Sequence, residues 1–582
     1  MTSSSDPELP NIPSQPHRRN VLTSLSNRLS KRVPRKFKYK PLDLKRNEIR
    51  LLRLFPGSLS SPVYCSLAHV SMHDEPVYGA LSYEWADRGD PETIYVDNSK
   101  FSITRNLKAA LLRLRSNRHD RVLWIDALCI DQWNIGERNE QVTKMIEVYR
   151  AAEIVIIWAG QATINSSLAI SCVRRHHGKA EDEFHPSPEE ITAVENLFDR
   201  SYWYRAWVVQ EVISAKKALV CCGIDFVDWI EIKPFYSMCF NNFMIGNPAP
   251  EIESLHGFFL APDDDEAFPL HAFRDRKATD ERDYIFAFVG LIPELQNPTF
   301  VDYSQSVEEV YKKSAILLIE ETQRIDQILF AVPDKGNNFD LPSWVPDWSQ
   351  LPLSGLKDLS GRASPARYSA SRNSKAEIRI LGDVLRCKGF RIGAVAKLGV
   401  PCPWTREWKE PLLQTFLSWQ ELLKTEFTNE QDFQPPFVRQ CLQFLHADYP
   451  RLYGIMIGLS KIILPEHPIP SHLEKYLIHE IGPTFERNLR GEDYQQIILG
   501  AANIFGRRLM ISSNQDIGLV VNETEVGDVV CILLGCSYPV ILRPKDEGFK
   551  LVSFAMLDGF MEGEAMAALA EGKHELRDFD IV

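Results

Sequence analysis

A chain of 582 residues is too long for one compact core, so its length predicts two or three domains. The net charge of −12 at pH 7 argues against a general nucleic-acid-binding surface. The 11 cysteines form no C-x-x-C pair and no hydrophobic signal segment is found, which favours reduced thiols and a cytoplasmic protein. No stretch approaches the roughly 20 consecutive apolar residues that cross a bilayer, so no membrane span is expected.

The first 37 residues differ in composition from the rest of the chain. They are rich in Ser and Pro and then basic, and no acidic residue occurs between Glu8 and Asp43. We therefore expect residues 1–37 to form a disordered, solvated arm. The alternatives are a nuclear-localisation segment, which would place the protein in the nucleus, and a segment that binds an anionic surface.

Between residues 77 and 159 the predicted elements alternate in type. A buried strand, a hairpin around Asp97 and Asn98, and an amphipathic helix capped by Thr104 come first. A second buried strand, a helical stripe and another buried strand follow. In chain order these elements are predicted at 77–83, 93–103, 104–114, 121–126, 142–152 and 154–159. The alternation predicts an α/β unit with a parallel sheet covered by helices.

Polar side chains follow two of the predicted strands. Ser82, Tyr83 and Trp85 come at the end of the first, and the polar run from Asp126 to Arg138 follows another. Ligands of open parallel sheets bind beyond the carboxyl ends of the strands. We therefore expect both groups of side chains to lie on one rim of the sheet.

The common enzyme motifs are absent from the sequence. It has no G-x-S-x-G, G-x-x-x-x-G-K-[ST], G-x-G-x-x-G or H-E-x-x-H. His176, His177 and His185 are expected in an exposed polar loop, and the adjacent Cys221 and Cys222 have no partner pair at zinc-site spacing, so no metal site is predicted. Cys129 is flanked by apolar residues and is expected to be a buried thiol rather than a nucleophile.

Four ordered blocks give the sequence a family resemblance. They are "EIRLLRL", "VYGALSYEWAD", "LWIDALCIDQWNIGERNEQVTKMIEVYRAAEIVIIWAG" and "SYWYRAWVVQEV". In order and spacing they resemble the blocks of the fungal heterokaryon incompatibility (HET) domain. Segments 278–291, 301–313, 341–349 and 506–543 resemble the downstream regions of long HET proteins. Two positions depart from the family pattern, because Ala86 stands where Gly is usual and Asp131 where Asn is usual.

The resemblance implies a role in fungal nonself recognition, in which an activated HET domain triggers growth arrest or programmed cell death. It also implies a distant relation to the TIR domain, which has a flavodoxin-like sheet. Some TIR domains cleave NAD with a glutamate placed four residues after a Trp, and Trp207 and Glu211 have that spacing. Glu211 is therefore the candidate catalytic residue and NAD the candidate substrate, and no other cofactor is implied.

NAD cleavage requires few protein groups. Breaking the nicotinamide–ribose bond builds oxocarbenium character on the ribose while nicotinamide leaves as a neutral group, so one carboxylate can stabilise the charge. On a helix Trp207 and Glu211 are i, i+4 neighbours and would project together. Arg205 would bind the pyrophosphate beside an aromatic wall formed by residues 202–204.

Each of these residues could instead have a purely structural role. Trp207 would be a core aromatic residue, and Glu211 would pair with Arg205 or Arg138 to hold a helix on the sheet. Asp126 would accept backbone N–H groups or cap a helix. Two classes of function therefore remain open. One is a TIR-like NAD hydrolase, and the other is a signalling module that acts through protein partners or self-association, which includes an accessory or regulatory HET-family protein without incompatibility function. The non-enzymatic class is slightly favoured, because the same residues make a good framework.

Composition divides the chain into four predicted parts. After the arm at 1–37, residues 38–230 are the HET domain with its TIR-like sheet, 231–495 a mixed and mainly helical region, and 496–582 a β-rich C-terminal module. Short strands with Gly and Asp turns in the last part predict a small barrel or sandwich. Segment 361–377 is expected to be a long exposed loop.

Overall fold

The computed structural model describes residues 13–15, 37–85, 89, 91–179, 183, 185–243, 276–331, 339–350, 368–403, 409–428 and 506–582. The described residues form two compact units, one up to Gln305 and the other from Ser306. The boundaries predicted from the sequence, at residues 230 and 495, differ from the boundary between these two units. The predicted division of the chain into four parts stays a prediction. Most of the predicted arm, Ala86 and residues 429–505 lie outside the described residues.

A mixed sheet organises the first unit, and ten strands belong to it among the described residues. In chain order the strands are β1 Ser14–Gln15, β2 Glu48–Leu54, β3 Tyr64–Ser71, β4 Gly79–Tyr83, β5 Glu92–Val96, β6 Ser99–Ile103, β7 Asp120–Trp124, β8 Ile154–Trp158, β9 Ala218–Cys222 and β10 Asp225–Asp228. Their spatial order is β10-β9-β8-β4-β7-β2-β3-β5-β6, with β1 paired to β7.

The centre of this sheet is parallel. Strands β9, β8, β4 and β7 are neighbours in that order and run in the same direction. Every residue of β4, β8 and β9 is buried, as expected of strands covered on both faces. The α/β class is therefore confirmed, but the sheet as a whole is mixed. Strands β2 and β10 pair antiparallel with β7 and β9, and only antiparallel strands can be joined by a turn as short as Gly223–Ile224.

Helices connect and cover the strands of the first unit. Their bounds are α1 Arg105–Leu114, α2 Asp126–Cys129, α3 Ile135–Thr143, α4 Met145–Ala151, α5 Ser166–His176, α6 Pro188–Phe198, α7 Ala206–Ile213, α8 Trp229–Phe243 and α9 Asp283–Phe286, with short 3-10 turns at Leu44–Arg46, Met72–Asp74, Ser201–Tyr204 and Pro293–Leu295. Helix α1 begins as predicted, because the Thr104 side chain accepts a hydrogen bond from the Leu107 amide. Its buried residues are the predicted apolar stripe, Leu107, Ala110, Leu111 and Leu114.

The predicted hairpin is confirmed between β5 and β6. Asp97 and Asn98 occupy its turn with φ values of 48° and 63°. Both values lie in the left-handed region that a type I′ turn requires, and Asn and Asp tolerate this region better than most residues. The turn sets the register that pairs Val96 with Ser99.

The second unit combines helices with a second sheet. Its elements are α10 Val307–Thr322, a 3-10 helix at Asp326–Ala331, β11 Ile378–Leu381, β12 Val384–Pro401, α11 Lys409–Glu426, β13 Arg507–Ser512, β14 Ile517–Val521, β15 Val529–Leu533, β16 Val540–Lys545, β17 Gly548–Phe554, β18 Met556–Leu557, α12 Glu564–Ala570 and β19 Arg577–Ile581. The 18-residue strand β12 pairs with β11, β13, β15 and β19.

Five of these strands close into a barrel. The pairing runs from β12 through β15, β16, β17 and β19 and returns to β12. Closure removes free edges among these five strands. Of the two predicted alternatives, barrel and sandwich, the structure has the barrel. Its apolar core includes Phe390, Ile392, Val530, Ile532 and Ile541.

Two features of the second unit differ from the sequence expectations. Strand β12 lies in the part of the chain expected to be mainly helical, although α11 in the same part is a helix. Tyr368, Ala370 and Ser371, in the middle of the expected exposed loop, are buried instead, whereas residues 372–377 are exposed or half-buried. Tyr368 packs edge-on against Tyr538 with ring centroids 5.2 Å apart, and the Ala370 amide donates to the Ser537 carbonyl at 3.0 Å. These partners lie more than 160 residues away in sequence, so local composition could not indicate them.

Among the helices that the structure describes, none combines the length and the apolar character that a bilayer crossing requires.

Candidate functional site

Glu211 lies in the interior of the first unit, beside the carboxyl end of β4. It is 1% exposed. The Ser82 hydroxyl, next to last in β4, donates a hydrogen bond to its carboxylate. Tyr202 Oη lies 2.6 Å from Ser82 Oγ, and because the serine proton is directed to Glu211, the tyrosine donates to the serine. The carboxylate therefore ends a buried chain of hydrogen bonds from Tyr202 through Ser82.

Burial raises the pKa of Glu211 to about 7. Arg205 opposes this shift by its positive charge, and Asp126 adds to it by its negative charge. The Tyr149 hydroxyl on α4 lies within hydrogen-bonding reach of the carboxylate and 3.2 Å from the Leu81 carbonyl oxygen. Glu211 is therefore a buried acid that changes charge close to neutral pH.

Arg205 lies immediately before α7 and faces two carboxyl groups. Its guanidinium donates to the Tyr83 carbonyl oxygen at the end of β4. Burial disfavours its charged form, but the negative charges of Glu211 and Asp126 outweigh burial and raise its pKa. Arg205 is therefore a fixed cation between two acids.

Asp126 opens α2 directly after β7 and is 9% exposed. The Trp85 indole N–H donates to its Oδ2 at 2.8 Å, and the Ala127 amide donates to its Oδ1 at 2.7 Å. Burial raises the pKa of Asp126, and Arg205 opposes that shift. The Trp85 contact joins the polar groups that follow β4 and β7, as the one-rim prediction requires.

The structure brings together six of the eight residues predicted for the site. They are Ser82, Tyr83, Trp85, Asp126, Arg205 and Glu211. Tyr149 was expected only as a member of the apolar stripe of its helix, and Tyr202 as part of an aromatic wall. Their hydrogen-bonding roles carried no sequence signal, because a buried Tyr in a stripe has the same spacing whether its hydroxyl is used or not.

Arg138 and Trp207 have different partners, in segment 276–305. The Tyr303 hydroxyl donates to Asp283 Oδ1 at 2.5 Å, and the Trp207 side chain hydrogen-bonds the same carboxyl group. The Arg138 guanidinium lies 3.5 Å from the centroid of the Tyr303 ring. Burial raises the pKa of Asp283 to about 6, and the hydrogen bonds from Tyr303 and Trp207 oppose that shift. The contacts anchor α3 and α7 to this segment, so Glu211 has Arg205 beside it rather than Arg138.

The histidine at the end of α5 and the described cysteines are buried in the fold. His176 is 1% exposed at the end of α5, with Nδ1 2.9 Å from the Cys172 carbonyl oxygen, so its expected place in an exposed loop is wrong. The nine cysteines whose side chains the structure describes are free and buried. Burial raises the pKa of Cys129 to about 12, which opposes thiolate formation. In the described ranges no three His, Cys, Asp or Glu side chains form a group that could hold a metal ion.

The Glu211 cluster has the composition of a polar framework. Each acid has protein donors directed to it, and Arg205 supplies the compensating charge. A buried carboxylate near neutral pKa can also stabilise a developing positive charge, provided that a substrate reaches it. Glu211 would need a rearrangement of Ser82, Tyr202 or their neighbours to contact a ligand directly, because it is 1% exposed.

Two family models match parts of the chain. Residues 78–211 match the family described as "Heterokaryon incompatibility protein (HET)", so the match begins just before β4 and ends at Glu211. Residues 484–582 match the "Het-6 beta-barrel domain", which covers the barrel strands after β12.

A curated relative from Neurospora crassa, "Heterokaryon incompatibility protein 6, OR allele", is 21% identical. The alignment covers 89% of this chain and 94% of the relative. No solved structure matches the chain. The two family matches and this full-length relative identify the chain as a member of the heterokaryon incompatibility (HET) family.

Proposed function

We propose that this chain acts in fungal nonself recognition and triggers growth arrest or programmed cell death through protein contacts. The name of the Neurospora crassa relative and the length over which the two chains align support a shared role in heterokaryon incompatibility. In this proposal the HET domain is a signalling module, and its partners are other proteins or further copies of the chain.

One observation carries the non-enzymatic form of this proposal. Glu211, the candidate catalytic residue, is 1% exposed. Its carboxylate accepts from Ser82, has the Tyr149 hydroxyl within hydrogen-bonding reach and is stabilised by the positive charge of Arg205. A carboxylate that stabilises a substrate cation must contact it in the reacting complex. The observed contacts use the carboxylate within the fold, where it joins α7 to β4.

NAD hydrolysis is the second candidate function. The parallel strands, numbered along the chain from β4, stand in the order 2-1-3-4, and this flavodoxin-like order supports the TIR-like part of the proposal. Glu211 lies beside β4, next to the point where the order reverses, which is where ligands of such sheets bind. In this reaction the bond from ribose C1′ to the nicotinamide nitrogen breaks, its electron pair stays on the neutral nicotinamide, and water adds to C1′ and releases a proton.

Inducible expression of the full chain in a fungal host tests the first candidate. We expect growth to stop as the wild-type protein accumulates, and we expect Glu211→Gln to retain this effect, because Gln fills the same volume and keeps a hydrogen-bonding side chain. A host that grows normally with abundant folded protein would contradict the proposal.

Nicotinamide release from NAD by the purified protein separates the two candidates. The signalling function predicts no release, and growth arrest with an unchanged cellular NAD content. Release by the wild type that disappears in a folded Glu211→Gln variant would favour the enzymatic function instead. Glu153→Gln, which alters an exposed glutamate after α4, is the control for the loss of one carboxylate.

A further inference from the structure

Trp133 is an exposed aromatic residue on the surface of the first unit. It is 87% exposed, and Ile135 is 50% exposed two residues later. A Trp side chain can bury about 150–250 Å² of surface and is among the residues that dominate the energetics of protein interfaces. The two side chains therefore leave an apolar knob in water at the start of α3.

The loop that presents Trp133 is firmly held. Glu137 accepts a hydrogen bond from the Asp131 amide at 2.8 Å and forms a buried ion pair with Arg50, whose Nη2 lies 3.0 Å from Oε2. Asn134 Oδ1 caps α3 by accepting from the Glu137 amide at 3.2 Å. A side chain on such a loop loses little conformational entropy when it binds, because its backbone is already ordered.

A surface depression of about 450 Å³ lies along α3, and Gly136, the residue after Ile135, is among its lining residues. A cavity of about 150 Å³ accommodates a benzene ring, so the depression is large enough for an indole. Its other lining residues include Glu140, Thr143 and Lys144 on one side and Thr299 and Asp302 on the other.

We infer that this surface binds a second copy of the chain, with Trp133 of each copy seated in the depression of the other. Glu140 and Lys144 pair at 2.7 Å, so the depression offers an acceptor for the indole N–H and a cation for the ring face. A knob and a depression on the same surface satisfy a two-fold axis, in which each copy gives and receives the same contact.

This inference deepens the proposed function, on which it rests, by naming the self-association surface of the signalling module. Preference for a second copy follows from the chemical match between the indole and the Glu140–Lys144 pair of the same surface. A different protein as the occupant would leave the purified chain monomeric.

Sedimentation velocity of the full-length chain over a range of concentrations tests the inference. Trp133→Ala removes the knob, and Thr143→Arg fills the depression. We expect each variant alone to raise the dimer dissociation constant about tenfold or more. An equimolar mixture should recover part of the affinity, because a mixed dimer keeps one intact contact between the Trp of one variant and the open depression of the other. Ile164→Ala, at a site 99% exposed elsewhere on the unit, should leave the constant unchanged.

Several results would overturn the inference. They are a wild-type chain that is monomeric at every concentration, an unchanged constant for Trp133→Ala, and a mixture no stronger than either variant. Melting temperatures equal to wild type establish that the surface variants fold. Growth arrest is scored separately: arrest by a chain that stays monomeric removes this inference alone, and self-association without arrest removes the proposed function alone.

Discussion

The Ser82 hydroxyl hydrogen-bonds the Glu211 carboxylate across 129 residues of sequence, and this contact fastens α7 to the carboxyl end of β4. Placing an acid here costs free energy when it ionises, because the interior solvates charge poorly. Ser82, Tyr149 and the nearby Arg205 offset part of that cost. The remaining cost appears as the raised pKa of Glu211. Its effect can therefore be measured as a dependence of the stability on pH.

Glu211→Gln should remove a pH dependence of stability. The pKa of Glu211 is about 7 in the folded chain, and an unfolded glutamate has a pKa of about 4.3. The folded chain therefore holds this proton more tightly, so its contribution to stability is full below the unfolded pKa and is lost as the pH rises through about 7. The loss is about 3–4 kcal/mol for a shift of this size.

Urea unfolding at a series of pH values measures this effect. The wild type should lose stability relative to Glu211→Gln between about pH 4 and pH 7, since Gln does not titrate. Asp283 titrates in both proteins, so its contribution cancels in the difference between their free energies of unfolding. Curves that stay parallel across this range would show that Glu211 is not buried as described.

Tyr202→Phe should destabilise the fold by about 1–2 kcal/mol, because it removes the donor to Ser82 Oγ from a buried hydrogen-bond chain. Tyr204→Phe is the matched control two residues away. It removes an exposed hydroxyl 3.1 Å from Asp199 and should change stability by less than about 0.5 kcal/mol. Chemical unfolding measures both free energies of unfolding. Equal losses in the two variants would contradict a buried hydrogen bond from Tyr202 to Ser82.

The central sheet was predictable from sequence because its signals are local. The alternation from 77 to 159, the Thr104 cap and the Asp97–Asn98 turn all lie within a few residues of the element they define. The convergence of Ser82 and Asp126 followed from one rule about parallel strands. The sequence could not indicate contacts between side chains that are far apart along the chain. Segment 276–305 supplies Asp283 to Trp207 and Tyr303 to Arg138, and no periodicity in the sequence encodes these contacts.

Tyr303→Phe should destabilise the first unit by about 1–3 kcal/mol. The variant loses the 2.5 Å hydrogen bond to the buried Asp283 carboxyl but keeps the ring beneath Arg138. Tyr64→Phe, which keeps a stacked ring contact with Tyr95 at 4.9 Å, is the control. Unfolding free energies measured at neutral pH distinguish the two, and an unaffected Tyr303→Phe would show that the Asp283 contact contributes little to anchoring α7.

Strand β12 offers a test of barrel closure with two glycines on the same strand. A Cβ at Gly389 would overlap the Ile532 carbonyl oxygen and lie 2.8 Å from Leu533 Cδ2, both in β15. Because backbone cannot yield without separating the two strands, Gly389→Ala should cost about 1–3 kcal/mol. A Cβ at Gly393 meets Ser512 Cβ at 3.5 Å, an ordinary contact, and Ala is favoured over Gly in a strand, so Gly393→Ala should be neutral or slightly stabilising. Differential scanning calorimetry of the full chain compares them, and equal melting temperatures would mean that β12 and β15 do not pair as closely as barrel closure requires.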